Sequence, residues 1–192
     1  MKRVEWLWLR AQGAAWLVFG QQARALAVFE EMARRYPGDR YPLASRAHVL
    51  AQAGRHDEAL SDYRRLVELH PDDAAGWFNL GYVLESLGRF EDSLEAFQRA
   101  TVLDPKLDRA WYGLGLALIR LKRLDEAVQA LKRNTELQPM SPYGWYQLAR
   151  VHVDRQQPDE AAKIIRHLEG FEPKVAAQLV RETGLLAGQP AA

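Results

Sequence analysis

The chain has no cysteine, and that absence closes several routes at once. Disulfides, thiolate metal centres, a cysteine nucleophile and a lipid-modified cysteine are all excluded, which makes the cytoplasm the expected compartment. Long apolar runs are missing too. The first twenty residues open basic and turn apolar, but Glu5, Arg10 and Gln12 interrupt them. The longest clean run, Ala14 to Phe19, is too short for a signal-peptide core or a membrane span, so a folded first segment and no membrane insertion are expected. Neither sign of charge dominates: 26 basic residues face 25 acidic ones for a net charge of +1, and no segment is a polybasic block. Such a balance lacks the field that drives nucleic-acid binding. There is no glycine-rich phosphate loop, nucleophile elbow or dinucleotide fingerprint. The five histidines, His48, His56, His70, His152 and His167, form no pair at metal-ligand spacing. No metal, cofactor or catalytic activity is expected.

What is present is a period. Pro37, Pro71, Pro105, Pro139 and Pro173 stand 34 residues apart, and the same residue classes recur at fixed offsets before each. Eight residues earlier come Phe29, Tyr63, Phe97, Leu131 and Ile165; four before those come Ala25, Ala59, Ser93, Ala127 and Ala161. The string W-x-x-L-G occurs at Trp77/Leu80/Gly81 and Trp111/Leu114/Gly115, with a near copy at Trp145/Leu148/Ala149. Acid pairs recur as well: Asp57/Glu58, Glu91/Asp92, Asp125/Glu126 and Asp159/Glu160. Their recurrence marks them as charges at the positive start of a helix, not as catalytic carboxylates.

Each period reads as two helices of roughly 12–14 residues, within the usual range. In the second period Pro42 suits a first turn, Gly54 suits a helix C-terminus, Asp57 suits an N-cap, and Pro71 stops the second helix. Small residues at Gly13, Ala47, Gly81, Gly115 and Ala149 mark where the paired helices cross. Residues 174–187 read as an amphipathic helix with Val175, Leu179 and Leu186 inward and Lys174, Arg181 and Glu182 outward, followed by a frayed tail.

This pattern resembles the tetratricopeptide repeat (TPR) family over residues 6–175. The resemblance implies an all-α fold, a right-handed superhelical α-solenoid of five TPR helix hairpins plus a C-terminal capping helix. The hairpins would span 6–39, 40–73, 74–107, 108–141 and 142–175, with the cap over 174–187, in a single TPR domain covering 1–192. In such arrays the first helix of each hairpin lines a concave groove. Carried onto matching positions, the resemblance implies a partner-binding groove of Arg10, Tyr41, His48, Phe78, Asn79, Tyr82, Arg109, Tyr112, Arg120, Tyr143, Tyr146, Gln147 and Arg150. Trp77, Trp111 and Trp145 would belong to the hairpin cores.

Five of the chain's seven tyrosines fall in that set, and tyrosine gives amphipathic contact area with few torsions to freeze. The alternative is that these rings pack between repeats. The two-carboxylate clamp of TPR co-chaperones is not reproduced: His48, Asn79 and Arg109 fill three of its five slots, but Ala44 and Gly113 fill the others. The expected function is a non-catalytic adaptor that binds a protein or peptide segment. The alternatives are a self-assembling structural protein, or a regulatory subunit of an assembly whose enzyme is another chain. The first helix carries Trp6, Leu7, Trp8, Leu9, Leu17, Val18 and Phe19, more apolar surface than its partner helix can cover. Trp6 and Trp8 are therefore assigned to a terminal interface, with another copy of the chain or a dedicated partner.

Overall fold

The computed structural model describes residues 2–186, with the backbone alone at residue 2. Eleven α-helices and no strand occur among the described residues. They are α1 (Lys2–Val18), α2 (Gln22–Arg35), α3 (Arg40–Gln52), α4 (His56–Leu69), α5 (Ala74–Ser86), α6 (Phe90–Leu103), α7 (Asp108–Arg120), α8 (Leu124–Leu137), α9 (Pro142–Asp154), α10 (Pro158–Glu169) and α11 (Pro173–Thr183). Packing groups them into two compact units, α1–α6 up to Leu103 and α7–α11 from Asp104. In the N-terminal unit α1 pairs with α2, α3 with α4 and α5 with α6; α2 then packs on α3, α4 on α5, and α3 touches α5. In the C-terminal unit α7 pairs with α8 and α9 with α10, α8 packs on α9, and α11 lies against both α9 and α10.

The periodic residues do what their spacing implies. Phe29, Tyr63, Phe97, Leu131 and Ile165 are fully buried, as are the small residues four positions before each. Burying one such side chain contributes about 1.5–3 kcal/mol. The small residues at the crossings leave no room for more. A methyl group at Gly81 would sit 2.8 Å from the Phe97 ring, and one at Gly115 would sit 2.7 Å from Leu131 Cδ2. The tryptophans join the two halves of the sequence signature. Trp77, Trp111 and Trp145 donate their indole N–H to the carbonyls of Pro71, Pro105 and Pro139 at 3.0, 3.0 and 2.9 Å. The proline that stops one helix thus anchors the next.

The turn inside each hairpin is a Schellman motif. At Gly54 the amide reaches the Ala51 carbonyl while Arg55 N–H reaches Leu50 O, and the same pair of bonds recurs at Gly20, Gly88, Lys122 and Gln156. The motif needs a left-handed residue. Glycine serves at 54 and 88, with φ of +75° and +73°, whereas Lys122 and Gln156 adopt +60° and +58° with full side chains.

Two expectations are corrected. Asp57 is not a cap: α4 starts at His56, behind Arg55 at φ −83°, ψ 61°, with no side-chain capping bond. That backbone is outside the extended region that capping uses, because the left-handed turn delivers the chain directly into the helix. Arg55 instead forks onto Glu58, and Arg123 onto Glu126 in the same way. The capping helix also stops short of 187. Gly184 takes a left-handed φ of +70° after Thr183, and Leu186, at φ +60°, stands beyond the helix. Residue 187 and the tail after it lie outside the described residues.

Candidate partner-binding site

The side chains assigned to a groove fall on α1, α3 and α5 of the N-terminal unit and on α7 and α9 of the C-terminal unit. The N-terminal members divide. Tyr41 is wedged into the packing, its ring 5.6 Å from Trp6 and 6.1 Å from Phe29, with the Arg10 guanidinium 4.8 Å above it. Trp6 donates to Asp39 Oδ2 at 2.8 Å. Trp6, Arg10 and Tyr41 therefore tie α1 to α3 and the turn before it. Trp6, assigned with Trp8 to a terminal interface, is half-buried, its ring and indole N–H engaged with Tyr41 and Asp39. Phe78 lies 5.9 Å from Phe97, which joins α5 to α6. His48 and Tyr82 are exposed and Asn79 is half-buried. The Asn79 amide has no protein partner among the described residues. Trp8 does stand free of the core at 61% exposure, among Val4, Leu7, Val18 and Phe19, all exposed.

The C-terminal members converge. Tyr112 of α7 and Tyr143, Tyr146 and Gln147 of α9 line one cavity of about 450 Å³, closed by Pro142, Glu172, Val175 and Gln178. This volume lies within the range of ligand pockets, about 300–1,000 Å³. Glycine at 144 and alanine at 149 set α9 close against its neighbours, while positions 143, 146 and 147 turn the opposite way. Tyr143 is 70% exposed, so its ring is held out from the core.

At one edge of this surface is a hydrogen-bonded chain. Arg150 Nη1 lies 3.4 Å from the Tyr146 hydroxyl, which donates to Glu182 Oε2 at 2.6 Å; Glu182 Oε1 accepts from Gln178 at 2.8 Å. The bond to Glu182 raises the Tyr146 pKa from its ordinary value, since ionising the phenol would remove the donated proton. The same bond, helped by Gln178, lowers that of the Glu182 carboxyl. Glu182, expected to point outward, thus reaches back to α9. Arg109 and Arg120 are exposed at opposite ends of α7, roughly 16 Å apart at 1.5 Å per residue, so a single ligand group cannot engage both.

The residues contributed by α11 were not anticipated. Their signal was available: 172, 175, 178 and 182 fall three or four apart, on one face of a helix. The amphipathic pattern of 174–187 sets Val175 inward and Glu182 outward and assigns no role to Glu172 or Gln178.

Among known families, the tetratricopeptide repeat model matches residues 45–108 and 87–142. The chain belongs to the tetratricopeptide repeat family. A second model of the TPR family matches 142–167. Solved TPR structures share the fold. The protein is 22% identical to MamA (41–end) from Desulfovibrio magneticus RS-1, with a TM-score of 0.82 over 88% of this chain and 96% of that one. It is 18% identical to YrrB, described as a TPR protein with an unusual peptide-binding site, with a TM-score of 0.76 over 88% of each chain. A thermophilic TPR protein of Thermus thermophilus is 24% identical, with a TM-score of 0.66 over 93% and 97%. No curated protein matches the sequence. The fold is that of TPR solenoid proteins, a family that mediates protein–protein interaction and is typically non-catalytic. Among the described residues no helix is long and apolar enough to cross a membrane.

Proposed function

We propose that this chain is a non-catalytic cytoplasmic adaptor, five tandem repeats over 6–175 with α11 as a cap, which holds a segment of a partner protein in its concave groove. The observation that carries the reading is the cavity walled by Tyr112, Tyr143, Tyr146 and Gln147. Three tyrosines from two helices around one open space give contact area where a partner can reach it. The unpartnered Asn79 amide on α5 supplies a donor and an acceptor for a ligand backbone. Arg10 and Tyr41, occupied with packing, shape this surface without presenting free groups. Affinity capture from the native cell, with mass spectrometry of the bound proteins, tests the reading. A partner retained by the wild type and lost with Tyr82→Ala or Tyr143→Ala supports it. A partner held equally by both variants places binding elsewhere.

A second reading is favoured by a separate observation: the exposed apolar face of α1 around Trp8. Val4, Trp8, Ala11, Ala15 and Val18 recur four and three residues apart along that helix, the spacing of a helix–helix seam. The small residues Ala11 and Ala15 follow Trp8 along it, so a second α1 running antiparallel would set Trp8 against small side chains. Self-association through α1 follows. Light scattering over a dilution series should show a concentration-dependent mass that Trp8→Glu abolishes; a monomer at every concentration removes this reading.

A further inference from the structure

The cavity on the C-terminal unit has a chemical character that the groove assignment does not supply. The sequence places arginines along the groove, which would suit an acidic partner. Among the described residues no cationic side chain lines the cavity itself. Its one charged lining residue among them is Glu172, the residue before α11, which shares the cavity wall with Tyr112, Tyr143 and Tyr146. The Glu172 carboxylate takes part in no ion pair, and its side chain makes no hydrogen bond among the described residues. It does not cap α11 either. Arg150 stands at the edge, its guanidinium 3.4 Å from the Tyr146 hydroxyl and 5.8 Å from that ring's centroid, with Glu182 on the other side of the hydroxyl. A cation already rests on Tyr146, and the Tyr143 ring beside Glu172 is left for another.

Aromatic rings present a negative face, and a cation within about 6 Å of such a face is attracted by roughly 0.5–2 kcal/mol, more as water is excluded. An unpaired carboxylate beside several such rings adds a directional acceptor. An acidic side chain entering the same space would meet Glu172, and like charges repel, while the neighbouring cation, Arg150, is already engaged with Tyr146. A plain apolar side chain would leave Glu172 without a partner.

We infer that this cavity is a cation cage that takes a lysine or arginine side chain of the bound segment, with Tyr143 against its charged end and Glu172 as its acceptor. The inference rests on the adaptor reading and names the partner's chemistry: a segment with a basic residue opposite α9 and α11. Gln147 and Gln178 supply hydrogen bonds at the rim, and Val175 covers the aliphatic stem.

The test uses the full chain and a phage-displayed library of random dodecapeptides. The expected result is enrichment of peptides sharing a lysine or arginine, whose affinity falls at least tenfold on Glu172→Gln and on Tyr143→Ser, with the melting temperature unchanged. Replacing the shared basic residue by norleucine should cause a similar loss. Enriched peptides that lack a common basic residue, or that bind Glu172→Gln as well as wild type, overturn the cage and leave the adaptor reading standing. Selection of acidic peptides overturns it as well. A library from which nothing is enriched overturns both.

Discussion

Lys122 and Gln156 offer a clean measurement of backbone strain. Both hold the left-handed place in a Schellman turn that glycine holds at 54 and 88. A left-handed conformation costs a residue with a Cβ about 1–2 kcal/mol. Glycine removes that strain but loses more conformational freedom on folding, an opposing effect of about 0.5–1 kcal/mol. Lys122→Gly should therefore stabilise the protein by about 0.5–1 kcal/mol, and so should Gln156→Gly. The sites are 34 residues apart and share no partner, so their effects should add. At about 2–4 °C per kcal/mol for a chain of this length, the double variant should melt about 2–8 °C higher. Gly88→Ala is the reverse experiment. No heavy atom lies within 4 Å of the added methyl, so a loss of stability there reports backbone conformation alone. Urea unfolding followed by circular dichroism, with the slope checked for constancy, measures the four variants against wild type. If Lys122→Gly is neutral or destabilising while Gly88→Ala is silent, strain at this turn is not what the φ values imply.

Crowding at the crossings gives a second test: Gly115→Leu should destabilise by at least about 1–3 kcal/mol, whereas Arg99→Leu on an exposed face should leave the urea midpoint unchanged. Tyr41→Ala should cost about 2–4 kcal/mol, as truncating a packed aromatic does, while Tyr82→Ala, at 53% exposure, should shift the melting temperature little; equal losses would show that Tyr82 packs as Tyr41 does. The Glu182 carboxyl titrates below its ordinary value because the folded chain supplies Tyr146 and Gln178 as donors. Its contribution to holding α11 should be complete above the ordinary carboxylate range and disappear as pH falls through the lowered value. Amide exchange in α11, relative to the rest of the C-terminal unit, should accelerate over that acid range in wild type and not in Glu182→Gln.

The helix hairpins were legible because their determinants are local and periodic. A proline stop, a glycine turn and a small–large pair eight to twelve residues before the proline are all properties of the string itself. The tyrosines show where that legibility ends. Positions 41, 82, 112, 143 and 146 look alike in the repeat, yet Tyr41 is packed against Trp6 while Tyr143 stands in the open. The difference comes from what lies alongside. α1 brings a tryptophan and an arginine to Tyr41, and α11 brings a carboxylate to Tyr146. Neighbours outside a hairpin's own register decide whether its groove residues are free, and the period is silent about them. The failed N-cap at Asp57 has a related cause, since a turn closed by backbone bonds makes a side-chain cap unnecessary.

The bond from each repeat tryptophan to the preceding proline carbonyl also makes the indole a spectroscopic probe of its own hairpin. Trp77, Trp111 and Trp145 each lose that acceptor only when their particular helix junction opens. With the other indoles replaced by phenylalanine, three single-tryptophan versions would record, by emission wavelength, the order in which successive junctions part. A chain assembled from near-identical modules could then be watched unzipping one joint at a time.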